Sequence, residues 1–82
     1  SNELLEIYPN PSTGIFNISL KLNMNKKFKV SIFDLTGRLV FENEVNNKTK
    51  IEVDLNNKSN GIYLVKVLVG ETQYQNRIIK NY

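Results

Sequence analysis

The chain has 82 residues, a formal net charge of +3, and neither cysteine nor histidine. This length predicts a single domain over residues 1–82, and Ser1-Asn2 is typical of a cleaved expression tag. Without thiols or imidazoles the composition excludes disulfides, zinc sites, cysteine hydrolases and Ser-His-Asp enzymes, so we expect no enzyme and no cofactor.

The charge and hydropathy patterns also limit the partner classes. The one basic cluster, Lys26-Lys27 with Lys29, is too sparse to predict a nucleic-acid surface and is interpreted as a solvated loop. No run of ~20 apolar residues is present, so we expect no membrane insertion.

Apolar and polar residues alternate with a period of two along the chain, which is the pattern of half-buried β-strands. In chain order, the predicted strands are residues 4–8, 16–22, 28–32, 39–44, 51–55, 63–67 and 72–80. The fourth is expected to place Leu39 and Phe41 on one face, with Glu42 and Glu44 on the other. Seven short strands with turn signals between them predict an all-β fold, a seven-stranded immunoglobulin-like antiparallel β-sandwich.

The connection between the first two predicted strands contains two prolines. Pro9 and Pro11 have a fixed φ and no N–H donor, so we expect this loop to stay out of sheet pairing. Gly14 is expected to take a positive φ where the chain enters the next strand.

Three further turns can be assigned. Residues 34–37 predict a type I turn followed by a left-handed glycine, with the Asp34 side chain capping the turn's own N–H groups. Gly70-Glu71 predicts a two-residue hairpin with glycine first. The polar 56–61 loop ends on Gly61, which lets the backbone re-enter the sheet.

The polar residues offer little chemistry. Glycoside hydrolysis needs two carboxylates facing each other across a groove, whereas the acids here are expected to lie on solvated outer faces. A sugar-stacking platform of tyrosines is the other option, but Tyr63 is predicted to be a core residue with its hydroxyl at the rim. Arg38, which follows the turn glycine, is expected to be exposed at a hairpin end and to form at most a weak ion pair.

Four short segments form a larger pattern when they are taken in order. They are Tyr8-Pro9-Asn10-Pro11-Ser12-Thr13-Gly14, Asp34-Leu35-Thr36-Gly37-Arg38, Gly61-Ile62-Tyr63 and Arg77-Ile78-Ile79-Lys80. Together they resemble the type A C-terminal sorting domain of the Bacteroidetes type IX secretion system. The resemblance covers nearly the whole chain, although Asn81-Tyr82 extend beyond the basic residue near which the family often ends.

The resemblance implies a secretion signal that performs no chemistry itself. Such a domain follows an N-terminal cargo, is recognised in the periplasm by the type IX translocon and an outer-membrane shuttle, and directs the cargo across the outer membrane. A sortase-like peptidase then typically removes it, so the cargo ends at the cell surface or in the medium. The cleaved segment lies before the domain, so no scissile residue is assigned.

The resemblance also marks the residues on which recognition is expected to depend. These motif residues are Pro9, Asn10, Pro11, Gly14, Asp34, Gly37, Arg38, Gly61, Tyr63, Arg77 and Lys80. Residues 77–80 are expected to form an open edge that pairs with a receptor strand by β-augmentation. The same edge leaves open a dimer formed by pairing of two copies.

Two other functions remain as alternatives. One is an accessory β-sandwich that binds a ligand or acts as a spacer in a secreted enzyme or adhesin, which predicts a face of exposed aromatic residues. The weaker one is a small carboxylate-dependent hydrolase, which predicts an acidic cleft.

Overall fold

The computed structural model describes residues 4–21, 27–46 and 48–81. Within them the chain forms seven strands and no helix. In chain order these are β1 Leu5–Tyr8, β2 Ile15–Leu20, β3 Lys27–Asp34, β4 Leu39–Asn46, β5 Lys50–Asp54, β6 Gly61–Val69 and β7 Thr72–Lys80. The seven predicted strands are confirmed, while Leu22, the last residue expected in the second strand, lies outside the described residues.

The strands form two antiparallel sheets. One has three strands in the order β1-β2-β5, and the other has four in the order β4-β3-β6-β7. Every strand pair within the sheets is antiparallel, and the β6–β7 ladder, from Gly61↔Lys80 to Val69↔Thr72, is the longest of the five. This arrangement confirms the predicted antiparallel sandwich.

The core lies between the sheets and follows the alternation of the sequence. Side chains at every second position of β2, β3 and β6 are fully or almost fully buried, because successive residues of a strand face opposite sides of its sheet. The core comprises Leu5, Phe16, Ile18, Leu20, Phe28, Val30, Ile32, Val45, Val53, Leu55, Tyr63, Val65, Val67, Val69 and Ile78.

The prediction that Leu39 and Phe41 share a face is wrong, because the β3–β4 ladder contains an irregularity. Ile32 pairs with Phe41 but Phe33 pairs with Leu39, so β4 has one extra residue, Val40, at this point. Phe41 packs against the core, whereas Leu39 is 45% exposed. The bulge therefore turns Leu39 to the outer face of the four-stranded sheet.

The connections divide between the two ends of the sandwich. The 9–14 loop, the 35–38 turn, the 55–60 loop and residues 79–81 lie together at one end, which we call the motif end. β1 begins at the opposite end, where Leu5 pairs with Leu20 and Val69 pairs with Thr72. β6 runs between the two ends with nine residues, which corresponds to about 26 Å.

Candidate functional site

The 9–14 loop is attached to the outer edge of β7. The Asn10 side chain accepts a hydrogen bond from the Ile79 N–H at 2.9 Å and donates one to the Arg77 carbonyl at 3.0 Å. Ser12 continues the contact, donating its N–H to the Ile79 carbonyl at 3.0 Å and accepting from the Asn81 N–H at 2.9 Å. The prediction that this loop stays out of sheet pairing is therefore wrong: Ser12 forms a parallel bridge with Lys80.

The two prolines still explain how the loop is built. Pro9 and Pro11 cannot donate, so the polar groups that contact β7 belong to Asn10 between them and to Ser12 after them. Both X–Pro peptide bonds are cis. The Ser12 hydroxyl, which is buried, donates to the Ile15 carbonyl at 2.6 Å and accepts from the Gly14 N–H at 3.1 Å.

Gly14 is required for a different reason from the predicted one. Its φ lies outside the positive range, so the expectation of a left-handed glycine is wrong here. A Cβ at Gly14 would overlap the side chain of Asn56 and lie 3.3 Å from the Asn56 Cα. The backbones are this close because the Leu55 N–H donates to the Gly14 carbonyl at 2.8 Å. Gly14 thus joins the first loop to the 55–60 loop.

The 34–38 turn has the predicted left-handed glycine and the predicted Asp34 cap. The Gly37 N–H donates to the Asp34 carbonyl at 3.0 Å, and Gly37 has a φ of 89°. Asp34 Oδ1 accepts from the Thr36 N–H at 2.9 Å, the Thr36 hydroxyl at 2.6 Å and the Arg38 N–H at 3.0 Å. The Thr36 hydroxyl and the Arg38 N–H lower the pKa of Asp34 below its usual value.

Arg38 is exposed, as predicted, with 79% of its side chain accessible to solvent. Its Nε lies 3.3 Å from Asp34 Oδ2, so the ion pair closes the turn on itself. An ion pair this exposed contributes little to stability, which leaves the guanidinium available to another molecule.

A cleft of about 430 Å³ separates the 34–38 turn from the residues that lead into β6. Asp34, Thr36 and Arg38 line one side, and residues 57–63 line the other. Tyr63 is buried, and its hydroxyl donates to the Ser59 carbonyl at the rim, as predicted. Gly61, with a φ of 149°, brings the chain from this loop into β6.

The two basic motif residues of β7 have different environments. Arg77 is exposed on the outer face, whereas Lys80 is only 5% exposed and its Nζ donates to Asn60 Oδ1 at 3.0 Å. The outward backbone groups of Arg77 and Ile79 are already bonded: the Arg77 N–H to its neighbour Asn76, the others to the 9–14 loop. The expectation of an open edge at residues 77–80 is therefore wrong, and edge pairing of two copies stays a prediction.

The motif residues thus meet at one end of the sandwich in two connected groups. Asn10, Arg77 and Lys80 belong to the group around the end of β7, and Asp34, Arg38 and Tyr63 to the group around the cleft. The hydrogen bond between Lys80 and Asn60 links the groups. The sequence did not predict the contacts of Ser12, Asn56 and Asn60. They are polar residues in loops, and nothing in the neighbouring sequence indicates which distant residues they contact.

The structure gives little support to the two alternatives, a carboxylate-dependent hydrolase and a binding module with an exposed aromatic face. The described ranges contain no group of three or more acidic residues positioned to hold a metal ion. Tyr63 is in the core and Tyr74 packs against it, while the exposed Tyr8 lies on the other sheet with Lys50 Nζ 5.5 Å from its ring centre. None of the residues that the structure describes lies in a helix long and apolar enough to cross a membrane.

These features define a small β-sandwich whose motif residues are confined to turns, loops and the end of the last strand. Comparison with known proteins gives the family. Residues 6–81 match the model of the secretion system C-terminal sorting domain, so the chain belongs to that family. A domain of this family is a type IX sorting signal, a non-catalytic module that implies export to the cell surface or secretion.

Two known proteins illustrate the relationship. Over 77 residues the chain is 38% identical to the ulvan lyase NLR42 of Nonlabens ulvanivorans, spanning 92% of this chain but only 14% of that enzyme. A DUF3244 family protein from Bacteroides vulgatus, with an immunoglobulin-like β-sandwich fold, superposes with a TM-score of 0.80 at 12% identity. That match covers 95% of this chain and 85% of the other, and it confirms the predicted immunoglobulin-like fold.

Proposed function

We propose that this chain is recognised as a folded module by the type IX machinery in the periplasm, and that recognition uses the motif end. The observation that carries the proposal is the convergence of all four motif segments at one end of the sandwich. The hydrogen bonds between these segments join residues as far apart as Asn10 and Ile79, 69 positions in sequence, so the surface exists only when the domain is folded.

The position of β1 supports this orientation. A cargo would precede β1, which begins at the end opposite the motif end. The length of β6, about 26 Å, would then separate the cargo from the recognition surface. A translocon component or outer-membrane shuttle could therefore bind the motif end whatever the size and fold of the cargo.

The rigidity of the motif end favours binding. Three hydrogen bonds to Asp34 Oδ1 fix the 34–38 turn, and the contacts of Asn10 and Ser12 fix the 9–14 loop. A surface that is already ordered loses little conformational entropy when a partner binds. After passage across the outer membrane, a sortase-like peptidase would cut before β1 and release the cargo to the surface or the medium.

The test is export of a fluorescent reporter with a periplasmic signal at its N-terminus and residues 1–82, preceded by some natural upstream sequence, at its C-terminus. The host is a Bacteroidetes strain with a working type IX system, compared with a mutant that lacks the translocon. We expect the reporter at the surface or in the medium only when the translocon is present. Periplasmic reporter in both strains, with the fused domain shown to be folded, would instead support the accessory-module alternative.

A further inference from the structure

The outer face of the four-stranded sheet changes from mainly polar to mainly apolar toward the motif end. From its middle toward the end where β1 begins, the cross-strand rows are mainly polar: one contains Glu44, Lys29, Leu68 and Gln73, and the one nearer the middle contains Glu42, Ser31, Lys66 and Gln75. The next row toward the motif end contains Leu39, Phe33 and Leu64, and it ends at Arg77. Ile62 and Ile79 pair just beyond it. An exposed sheet face normally has polar side chains, so these apolar rows need an explanation.

We call Phe33, Leu39, Ile62, Leu64 and Ile79 the outer patch. Leu39 and Ile79 are 45% and 38% exposed, and the other three are partly exposed. Leu35, on the adjacent turn, is 72% exposed. The members lie on neighbouring strands that are about 4.8 Å apart, so they form a continuous surface rather than scattered single residues.

The outer patch is separate from the core. Ile32, Tyr63, Val65 and Ile78 are buried between the sheets, so the residues that alternate with them face the other way. The partly buried residues that pack against the core are Ile7, Val40, Phe41, Ile51 and Tyr74, and no member of the outer patch is among them. Burial in the folded chain therefore does not account for these apolar side chains.

The rim of the outer patch is mainly cationic. Arg38 and Arg77 are exposed beside Leu39 and Leu64, and Lys66 Nζ lies 5.2 Å from the centre of the Phe33 ring. The nearest acids are already engaged. Asp34 bonds its own turn and Arg38, and Glu42 lies 3.2 Å from Lys29 Nζ. Asp34 offsets Arg38 but not Lys66 or Arg77, so a partner would meet apolar side chains beside a net positive charge.

We propose that the outer patch is a docking surface for a protein whose contact region combines apolar side chains with a rim of Asp and Glu. This pairing has the anatomy of a specific interface, in which an apolar centre is surrounded by complementary charges. The inference rests on the proposed function, because it names the chemistry of the component that receives the motif end.

Two other occupants fit the patch less well. Two copies packed face to face would bring Arg38, Lys66 and Arg77 of one against the same cations of the other. Insertion into a lipid surface requires apolar side chains that reach roughly 5–10 Å into it, whereas Phe33, Ile62 and Leu64 are half-buried on a rigid sheet. Both occupants are distinguished by the experiment below.

The experiment uses the reporter and the two hosts described above, with Leu39→Thr and Leu64→Thr combined. Threonine suits a strand but removes the apolar contact. The matched control is Leu68→Thr, on the same strand and the same face, 43% exposed, in the polar half of the sheet. We expect at least about a tenfold loss of surface reporter from the double variant, as for a central interface residue, and less than about twofold from the control.

The failures of the two proposals are distinguishable. A wild-type reporter that never reaches the surface contradicts the proposed function and removes the basis of this inference. A wild-type reporter that is exported, together with a double variant exported equally well, contradicts only the outer patch. Concentration-dependent dimerisation of the purified 82-residue chain that the double substitution abolishes would overturn the proposal, as would its patch-dependent co-sedimentation with phosphatidylglycerol vesicles.

A second variant covers loss of folding. If circular dichroism shows that the double variant is unfolded, Arg77→Glu reverses the rim charge without removing any apolar side chain. We expect it to reduce export at least about tenfold while the purified chain melts as the wild type does. Unchanged export of Arg77→Glu would overturn the charge part of the proposal.

A photo-crosslinking residue at position 64 identifies the partner directly. We expect an adduct with one translocon-dependent protein, and none from the same residue at position 68. An adduct at position 64 whose partner lacks an acid-rimmed apolar surface would contradict the proposal.

Discussion

Asn10 and Ile79 are 69 residues apart in sequence, yet the Asn10 side-chain oxygen accepts the Ile79 N–H at 2.9 Å. The same amide donates to the Arg77 carbonyl, so a side chain occupies the place that a neighbouring strand would take on β7. This contact joins the first loop of the domain to its last strand. It also shields half of an edge that would otherwise invite pairing with other chains.

The first prediction concerns this contact. Asn10→Ala removes both hydrogen bonds and is expected to lower the free energy of unfolding by about 1–2 kcal/mol, since each exposed bond contributes about 0.5–1.5 kcal/mol. Urea denaturation of the 82-residue chain measures the change. Asn43→Ala, at an exposed position of β4, is the control and should change stability much less. Equal effects of the two substitutions would show that the Asn10 contact is not stabilising.

The second prediction separates the two roles of glycine. Gly14→Ala should lower the free energy of unfolding by about 1–3 kcal/mol because the new methyl group overlaps Asn56. Adding Asn56→Ala should restore most of the loss, since it removes the overlapping atoms. Gly37→Ala should cost about 1–2 kcal/mol through its positive φ, and no neighbour substitution should rescue it, because nothing lies within 4 Å of the new Cβ. Chemical denaturation of the single and double variants measures each value.

These two glycines also illustrate what could be predicted from the sequence. The 34–37 turn depends on neighbouring residues, so its Asp34 cap and the positive φ of Gly37 were correctly predicted. Gly14 was correctly placed at the end of a loop but given the wrong reason, because the residue that requires it, Asn56, is 42 positions away. The fold followed from the alternation of apolar residues, which records burial directly.

The errors share a physical cause. One extra residue at Val40 reverses the face of Leu39, and no local pattern marks where a ladder will shift. The edge of β7 was predicted to be open because the sequence does not reveal that Asn10 and Ser12 reach it. Contacts between distant segments are decided by the packing of the two sheets, so the candidate site could be named by its motifs but not assembled from them.

The third prediction concerns pH. The hydrogen bonds from Thr36 and Arg38 lower the pKa of Asp34 from its ordinary 3.8. As the pH falls, the Asp34 carboxylate therefore stays ionised in the folded chain where the same group in the unfolded chain already binds a proton. The stabilisation is therefore complete above pH 3.8 and is lost as the pH falls through the lower folded pKa. Asp34→Asn should reduce the dependence of the melting temperature on pH in this range. Identical pH profiles for wild type and variant would contradict the assignment.

A fourth prediction tests the cause of that pKa. Thr36→Val removes the 2.6 Å hydrogen bond from the Thr36 hydroxyl but leaves the two backbone donors in place. The pKa of Asp34 should therefore rise toward its usual value without reaching it. Titration of the Asp34 carboxyl by NMR measures both chains. A pKa of Asp34 that stays the same in the variant would assign the shift to the backbone donors alone.

The last prediction separates recognition from folding. Arg38 is 79% exposed, and its ion pair with Asp34 contributes little to stability, so Arg38→Ala should leave the melting temperature of the purified chain nearly unchanged. The same substitution removes a cation from the motif end and should reduce surface reporter by several-fold in the type IX host. Lys21→Ala removes another exposed ion-paired cation, 60% accessible and 3.4 Å from Glu6, at the end where β1 begins. It should leave export unchanged, because the proposed function places the cargo at that end. Equal export of both variants would place recognition away from the 34–38 turn. Loss of export from both would indicate that the machinery recognises the net charge of the domain rather than its motif end.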